Sequence, residues 1–118
     1  MAKHLETGKK AEDLATHFLE EKGYEIVARN YRSGRGEIDI IVKKDIFLVF
    51  VEVKSLTSTK FGNPEISVTP NKVKLVTKAA ENYVFQNNWL QQIRFDIVSV
   101  IFKTGENIEI THFEDAFY

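Results

Sequence analysis

The residues best suited to chemistry form two short charged pairs in the middle of the chain. Glu37 and Asp39 are two residues apart, and so are Glu52 and Lys54. Because side chains alternate between the faces of a β-strand, the two members of each pair would leave the same face if both segments were extended. A hairpin that aligned the segments would then bring the two pairs opposite each other.

This arrangement would suit a divalent cation. Carboxylates on neighbouring strands supply the oxygen ligands that Mg²⁺ or Mn²⁺ prefers, with water completing the coordination shell. A lysine beside the ion could polarise an attacking water or stabilise charge on a phosphate, so the pattern predicts phosphodiester hydrolysis at Asp39, Glu52 and Lys54. Glu37 could be a further ligand, a partner of the ligands or a strand-edge charge. The alternative interpretation is that Glu52 and Lys54 form a structural or solvated pair where the strand leaves the core.

Local sequence patterns predict the elements that would position these residues. Apolar side chains recur at helical spacing from Ala11 to Leu19 and Gly23 follows as a stop, which predicts a helix over residues 5–22. Residues 24–32 are rich in β-branched and aromatic side chains and end in a loop with two glycines, which indicates a first strand. Residues 38–42 and 46–53 predict a tight hairpin. The unbroken apolar run at 46–51 is typical of a central strand covered on both faces.

The second half of the chain predicts one more helix and one more hairpin. Residues 55–64 are polar and rich in turn formers, which predicts a long loop after Lys54. Thr69 and Pro70 form a helix start, and the apolar spacing that follows extends the helix to about residue 87. Residues 93–102 and 107–113 predict a final pair of strands. The expected order is αβββαββ, an α/β fold, within a single domain over residues 1–118.

Composition excludes several kinds of site and predicts where the protein is located. The chain has no cysteine, so disulfides, thiolate catalysis and Cys-type metal centres are excluded. His4, His17 and His112 show no ligand spacing and are interpreted as surface or packing residues, and Asp96 as a structural strand charge paired with a nearby cation. No apolar run is long enough for a membrane span and no signal peptide precedes the first helix, which predicts a cytoplasmic protein.

The net charge of -1 conceals a basic middle. Residues 22–80 carry 11 basic and 6 acidic side chains, whereas residues 81–118 carry 2 and 6. Seven basic residues flank the proposed site in sequence and are expected to contact phosphates without reading bases; the alternative is a solvated lysine-rich surface. They are Arg29, Arg32, Arg35, Lys60, Lys72, Lys74 and Lys78.

Two levels of sequence pattern resemble known proteins. Asp39 followed by Glu52-Val53-Lys54 resembles the signature of PD-(D/E)xK nucleases. Almost the whole chain is similar to the YraN family of uncharacterised bacterial proteins (uncharacterised protein family 0102). That resemblance rests on Gly8-x-x-Ala-Glu-Asp-x-Ala15, Gly23-Tyr24, Arg29-Asn-Tyr-Arg32, Gly36-Glu-Ile-Asp-Ile40, Val49-Phe-Val-Glu-Val-Lys54, Phe61-Gly62 and Arg94-Phe-Asp-Ile-Val98. It implies a restriction-endonuclease-like fold, a central mixed β-sheet of about five strands flanked by two helices. The nearest functional analogues that it implies are the archaeal Holliday-junction resolvases.

The resemblance also implies roles for individual residues. Asp39 and Glu52 would be metal ligands, Lys54 the catalytic lysine and Glu12 the further carboxylate of resolvase-like members. The aligned Asp39, Glu52 and Lys54 make a Mg²⁺- or Mn²⁺-dependent DNA endonuclease, with branched or junction DNA as a candidate substrate, the leading hypothesis. A homodimer is a further expectation, because cleavage of both strands of a duplex or junction requires two active sites. Two positions depart from the pattern: Ile38 replaces the proline of the signature, and Leu56 stands where the family is expected to have arginine. The alternatives are a non-catalytic nucleic-acid-binding or protein-interaction domain that keeps the nuclease fold, and an interaction protein with no nucleic-acid role.

Overall fold

A computed structural model describes the chain over residues 2–57 and 68–116. Two helices and five strands follow one another in the predicted order αβββαββ, so that prediction is confirmed. The elements are α1 (Ala2–Glu21), β1 (Glu25–Ser33), β2 (Gly36–Lys44), β3 (Phe47–Thr57), α2 (Pro70–Gln86), β4 (Gln92–Phe102) and β5 (Ile108–Phe113).

The five strands form one mixed sheet in the spatial order β1-β2-β3-β4-β5. Neighbouring strands are antiparallel except β3 and β4, which are parallel and are connected through α2. Parallel strands require such a crossover, because a tight turn can join only antiparallel neighbours. The prediction of a central third strand is confirmed, since β3 lies between β2 and β4.

The two helices cover opposite faces of the sheet and create two separate cores. Helix α1 contributes small and branched apolar residues to one core, and α2 contributes a second set with larger aromatic partners. The first core contains Ala11, Ala15, Leu19, Tyr24, Ile40, Val42, Val49, Val51, Val98 and Val100. The second contains Ile38, Ile41, Leu48, Phe50, Val76, Ala79, Ala80, Tyr83, Phe95 and Ile97.

Helix α2 packs very closely on the beginning of β2. A Cβ atom at Gly36 would lie 2.4 Å from the carbonyl oxygen of Leu75 and 3.1 Å from the Cβ of Ala79. Only glycine therefore fits at residue 36 without moving the helix. This close approach holds the first turns of α2 against the strands that carry the charged pairs.

Strand β3 continues three residues beyond the predicted end of regular structure. Residues 55–57 open a stretch whose polar and turn-forming composition predicts a loop, but they extend the strand to Thr57. Each of them has a parallel partner in β4, from Ser55 opposite Val100 to Thr57 opposite Phe102. The pairing with a neighbouring strand overrides the local turn preference. Residues 58–64 of the predicted loop lie outside the described part of the chain.

In the described part of the chain, neither helix combines the length and hydropathy that a membrane crossing requires.

Candidate active site

The hairpin of β2 and β3 opens at the two predicted carboxylates. Its backbone ladder runs from Lys44 opposite Phe47 to Ile40 opposite Val51 and then stops, although both strands continue. One further step in the same register would place Asp39 opposite Glu52. Instead, the Val53 N–H donates a hydrogen bond of 2.8 Å to Oδ2 of Asp39. A side chain replaces the backbone acceptor here, which is why the ladder ends at this point.

Glu52 is a buried carboxylate with little compensation. Only 7% of the residue is exposed, and its ion pair within the described residues joins Oε1 to the Nζ atom of Lys72 at 3.5 Å. Burial and then the charge of Asp39 raise the pKa of Glu52 to about 7, against the opposing charges of Lys72 and Lys54. Near neutral pH, this carboxyl therefore populates both its protonated and its ionised form.

The pKa of Asp39 is raised as well, by burial and by other carboxylates. Burial raises its pKa, and the charges of Glu12 and Glu37 add to the rise, while the hydrogen bond from Val53 and the charge of Lys72 oppose it. The acidic groups therefore destabilise one another in their ionised forms. An arrangement of this kind is typical of functional sites, where perturbed pKa values cluster.

Lys72 reaches the carboxylates because of the way α2 begins. Thr69 is the N-cap: its hydroxyl accepts a hydrogen bond of 3.2 Å from the Lys72 N–H, and Pro70 occupies the first helical position. The N-terminal turn and its lysine thus lie beside β3. A helix N-terminus carries a partial positive charge, so this end of α2 favours anions.

Two side chains of β1 hold the carboxylate of Glu12 in place by hydrogen bonds. Its Oε1 atom accepts hydrogen bonds from Nε and Nη2 of Arg29, at 3.1 and 2.9 Å, and from Nδ2 of Asn30 at 2.9 Å. Arg29 also contacts Asp13 at 2.7 Å. Because all three hydrogen bonds end on Oε1, the Oε2 atom of Glu12 stays outside this clamp. The carboxylate on α1 is thereby oriented near Asp39.

Asn30 is a component of the site that the sequence reasoning missed. It adopts a left-handed conformation with φ of 53° in the middle of β1. The register of its neighbours, Arg29 opposite Ile40 and Tyr31 opposite Ile38, places it directly across from Asp39. Asparagine tolerates this conformation better than most residues. An asparagine within a β-branched and aromatic strand was the available signal.

Glu37 and Lys54 occupy the margins of the site. Glu37 pairs with Arg32 at 3.2 Å, and its neighbours Gly36 and Ile38 face α2, so alternation directs Glu37 toward the other face. Lys54 is half-buried and shares a face of β3 with Glu52. Over residues 2–57 and 68–116, no group of three or more histidine and acidic side chains is placed to hold a metal ion.

The basic residues predicted to contact nucleic acid fall into three groups. Arg29, Arg32 and Lys72 are engaged with acidic side chains of the site. Arg35, Lys74 and Lys78 are exposed. Lys60 lies outside the described residues, as do Phe61 and Gly62.

Asp39 and Glu52 nevertheless fit a divalent cation. Mg²⁺ is commonly bound through one or two carboxylates while it retains several waters, so two ligands suffice without a third acidic group. The electrostatic argument agrees, since burial raises the pKa of both carboxyls and the charge of Asp39 raises that of Glu52 further, so a double positive charge would stabilise their ionised forms. A cation bound by both carboxylates could therefore supply the positive charge that Lys72 now supplies to Glu52 from one side.

Comparisons with known proteins all point to one family, and the names of the matching proteins state no activity. The model of the family described as "Uncharacterised protein family UPF0102" matches residues 11–100. The chain is 47% identical to the UPF0102 protein FP2501 of Flavobacterium psychrophilum, over 100% of this chain and 98% of that protein. It is 42% identical to the UPF0102 protein BF0634 of Bacteroides fragilis, over 100% and 97%. A UPF0102 protein of Syntrophomonas wolfei is also 42% identical, over 95% and 97%.

Proposed function

This chain belongs to the uncharacterised protein family UPF0102, and we propose that it is a metal-dependent endonuclease that hydrolyses phosphodiester bonds in DNA. Asp39 and Glu52 would hold Mg²⁺ or Mn²⁺, and Lys54 would act on the reacting groups. The observation that carries the proposal is the opening of the β2-β3 ladder at the half-buried Asp39 and the buried Glu52, where the charge of Asp39 raises the pKa of Glu52 and those of Lys72 and Lys54 oppose the rise.

An arrangement of this kind destabilises the fold unless a ligand compensates it. A buried carboxylate that lacks adequate partners reduces stability by an amount on the order of 1–3 kcal/mol. A purely structural site would replace Glu52 with an apolar residue or surround it with donors. Among the residues that the structure describes, Glu52 has its ion pair with Lys72 alone, so a cation that enters the site gives a physical reason for the arrangement.

The residues around the carboxylates supply the other requirements of hydrolysis. Bound Mg²⁺ or Mn²⁺ would provide Lewis acidity at a phosphate oxygen. Lys54 can donate a hydrogen bond to the attacking water or to an oxygen that gains negative charge, because it lies on the same face of β3 as Glu52. Glu12, held by Arg29 and Asn30, can accept a hydrogen bond from that water through Oε2.

The proposed substrate is DNA with a branch or junction. The exposed side chains of Arg35, Lys74 and Lys78 could contact phosphates, which would orient a duplex by its shape without reading its sequence. The resemblance to Holliday-junction resolvases favours branched substrates. Because cleavage of two strands needs two active sites, the proposal includes a homodimer.

Cleavage of four-way junction, flap, single-stranded and duplex DNA with Mg²⁺ or Mn²⁺ tests the proposal. Asp39→Asn keeps an acceptor for the Val53 N–H but removes the charge, and Lys54→Ala removes the ammonium group. We expect each variant to lose on the order of a hundred-fold or more of the cleavage rate.

Lys103→Ala is the matched control, because Lys103 is exposed and paired with Glu109 at 2.8 Å away from the site. It should retain the wild-type rate. Equal residual cleavage by wild type, Asp39→Asn and Lys54→Ala would reject the proposal, since activity independent of the site comes from a contaminant.

A non-catalytic nucleic-acid-binding domain is the second candidate. The observation that favours it is the lack of a third acidic or histidine ligand among the residues that the structure describes. It predicts salt-dependent DNA binding that neither metal nor Asp39→Asn changes. Metal-dependent binding that requires Asp39 would argue for the endonuclease instead.

A further inference from the structure

We propose that Lys72 is an internal substitute for the cation: it neutralises Glu52 in the cation-free protein and leaves that carboxylate when a divalent cation binds. This inference rests on the proposed function, because it concerns the same site. It assigns Lys72 a role different from that of the exposed lysines of α2, which are expected to contact phosphates in either state.

The geometry supports competition between Lys72 and a cation. The Nζ atom lies 3.5 Å from Oε1 of Glu52, and its charge lowers the pKa values of both Glu52 and Asp39. A single ammonium group therefore acts on both proposed ligands. An ion bound to the two carboxylates would face the same oxygens, and two cations on one side of a carboxylate repel each other.

Lys72 is also able to move away. Its side chain is 36% exposed, whereas that of Glu52 is 9% exposed, so the ammonium group reaches the site from the solvent side. The distance of 3.5 Å exceeds that of a short charge-assisted hydrogen bond, which indicates a loose contact. A lysine side chain has four flexible carbons and can turn toward solvent without a change in the backbone.

Release of Lys72 would connect cation binding to substrate binding. Once it leaves Glu52, the ammonium group lies at the N-terminal turn of α2, beside the partial positive charge of the helix. Both groups attract a phosphate. The cation would then have two effects on the site. It would occupy the carboxylates, and it would free the ammonium group of Lys72 to contact a phosphate next to them.

Titration calorimetry with Mn²⁺ alone tests the first step without any cleavage assay. In Lys72→Gln the cation has no internal competitor, so we expect Mn²⁺ to bind about tenfold more tightly than to wild type. The rise in melting temperature on adding Mn²⁺ should also be larger. A lysine with only a structural role would lower stability with and without Mn²⁺ and would leave the affinity unchanged.

Two variants keep the result interpretable. Lys103→Gln removes an exposed lysine that also pairs with a glutamate, and it should bind Mn²⁺ like wild type. Lys72→Arg keeps the charge, so its affinity should stay near or below that of wild type. Unchanged or weaker Mn²⁺ binding in Lys72→Gln, with binding still lost in Asp39→Asn, would overturn this inference alone. Failure of wild type to bind Mn²⁺ would overturn the metal site and this inference together.

Junction DNA binding in Ca²⁺ tests the second step, with Ca²⁺ used to bind without supporting cleavage. If Lys72 is freed to a phosphate, the salt dependence of binding should steepen in wild type by about one phosphate contact when Ca²⁺ is added. Lys72→Gln should not show this change. The same steepening in both proteins would show that Lys72 does not reach the DNA.

Discussion

Glu52 and Asp96 are buried carboxylates on the two central strands, yet their surroundings differ sharply. The two residues are neighbours along the backbone ladder, because Val51 pairs with Asp96 and Glu52 pairs with Ile97, and this offset of one residue directs their side chains to opposite faces of the sheet. Asp96 is fully buried and accepts hydrogen bonds from two nitrogens of Arg94 at 2.9 and 2.8 Å, and from the Asp115 N–H at 3.0 Å. Its Oδ2 also contacts Nε2 of His112 at 2.7 Å. Glu52, within the described part of the chain, has an ion pair with Lys72 at 3.5 Å.

The two pKa values move in opposite directions as a result. Burial alone would raise the pKa of Asp96, but the hydrogen bonds from His112 and Arg94 outweigh burial and lower it. For Glu52, burial prevails and the pKa rises to about 7. A buried charge whose hydrogen bonds are complete serves the fold, whereas one with incomplete partners remains available to a ligand.

The network around Asp96 joins distant parts of the chain. Nη2 of Arg94 donates to the Tyr24 hydroxyl at 2.6 Å, and Nζ of Lys22 lies 2.7 Å from Nδ1 of His112. These contacts connect the end of α1 and the start of β1 with β4 and β5. Asp96 is therefore the centre of a structural network, as its interpretation as a paired strand charge predicted.

The largest effect should come from removing the charge of Asp96. Asp96→Asn leaves Arg94 without its buried counter-charge, and we expect the free energy of unfolding to fall by about 3 kcal/mol or more. Chemical denaturation at pH 7 measures this loss. The folded variant should still bind Mn²⁺ with wild-type affinity, because Asp96 is not part of the candidate site.

Glu109→Gln is a control for the general effect of losing a carboxylate, since Glu109 is exposed and pairs only with Lys103 among the described residues. It should change stability by less than about 1 kcal/mol. A loss for Asp96→Asn no larger than that of Glu109→Gln would contradict the structural role and would remove the contrast with Glu52.

A smaller effect of opposite sign is expected at Glu52. Its folded pKa of about 7 lies above the ordinary value of 4.5, so the folded state holds the extra proton and ionisation opposes folding. Stability is therefore greatest below pH 4.5 for this group and falls as the pH rises toward 7. Glu52→Gln removes the ionisation, and we expect a gain on the order of 2 kcal/mol at pH 8.

Unfolding measured from pH 5 to pH 8 checks this expectation. The difference between Glu52→Gln and wild type should grow with pH, and saturating Mn²⁺ should stabilise only the wild type. A constant difference across the range would mean that Glu52 does not titrate there. Destabilisation by Glu52→Gln at pH 8 would show that the Glu52 carboxylate stabilises the fold, as that of Asp96 does.

Most of the fold follows from local sequence patterns. The apolar spacing of α1, the Thr69-Pro70 start of α2 and the apolar run of β3 each depend on neighbouring residues, and all three elements form as predicted. The end of β3 was wrong because the pairing of Ser55 and Thr57 with β4 is a contact between distant residues. Sequence patterns of short range do not contain that information.

The candidate site illustrates the same limit. Glu52 and Asp96 look alike in sequence, because each is a carboxylate within an apolar run: Val-Glu-Val for Glu52 and Phe-Asp-Ile for Asp96. The difference comes from His112, Tyr24 and Lys72, which approach from other elements. The spacing of Asp39, Glu52 and Lys54 could be read directly, but the engagement of Arg29 with Glu12 could not, because it depends on how α1 lies on β1.

The smallest effect concerns Asn30, which holds a third carboxylate by a strained backbone. Asn30→Gly keeps the left-handed conformation but removes the amide that contacts Glu12, so stability should change by less than about 0.5 kcal/mol. Asn30→Ala also strains the backbone and should lose about 1 kcal/mol. We expect both variants to cleave junction DNA several-fold more slowly than wild type, because Glu12 is less well oriented.

Asn88 provides a matched comparison, since it has the same conformation with φ of 51° in the turn that follows α2. Asn88→Ala should lose a similar amount of stability and keep the wild-type cleavage rate. If Asn30→Gly cleaves as fast as wild type, the position of Glu12 does not depend on the amide, and Arg29 alone is sufficient. If Asn30→Gly is slower at unchanged stability, the amide of Asn30 serves the chemistry by orienting Glu12. The contacts that hold Glu12 would then serve the candidate site, as Glu52 does, whereas those of Asp96 serve the fold.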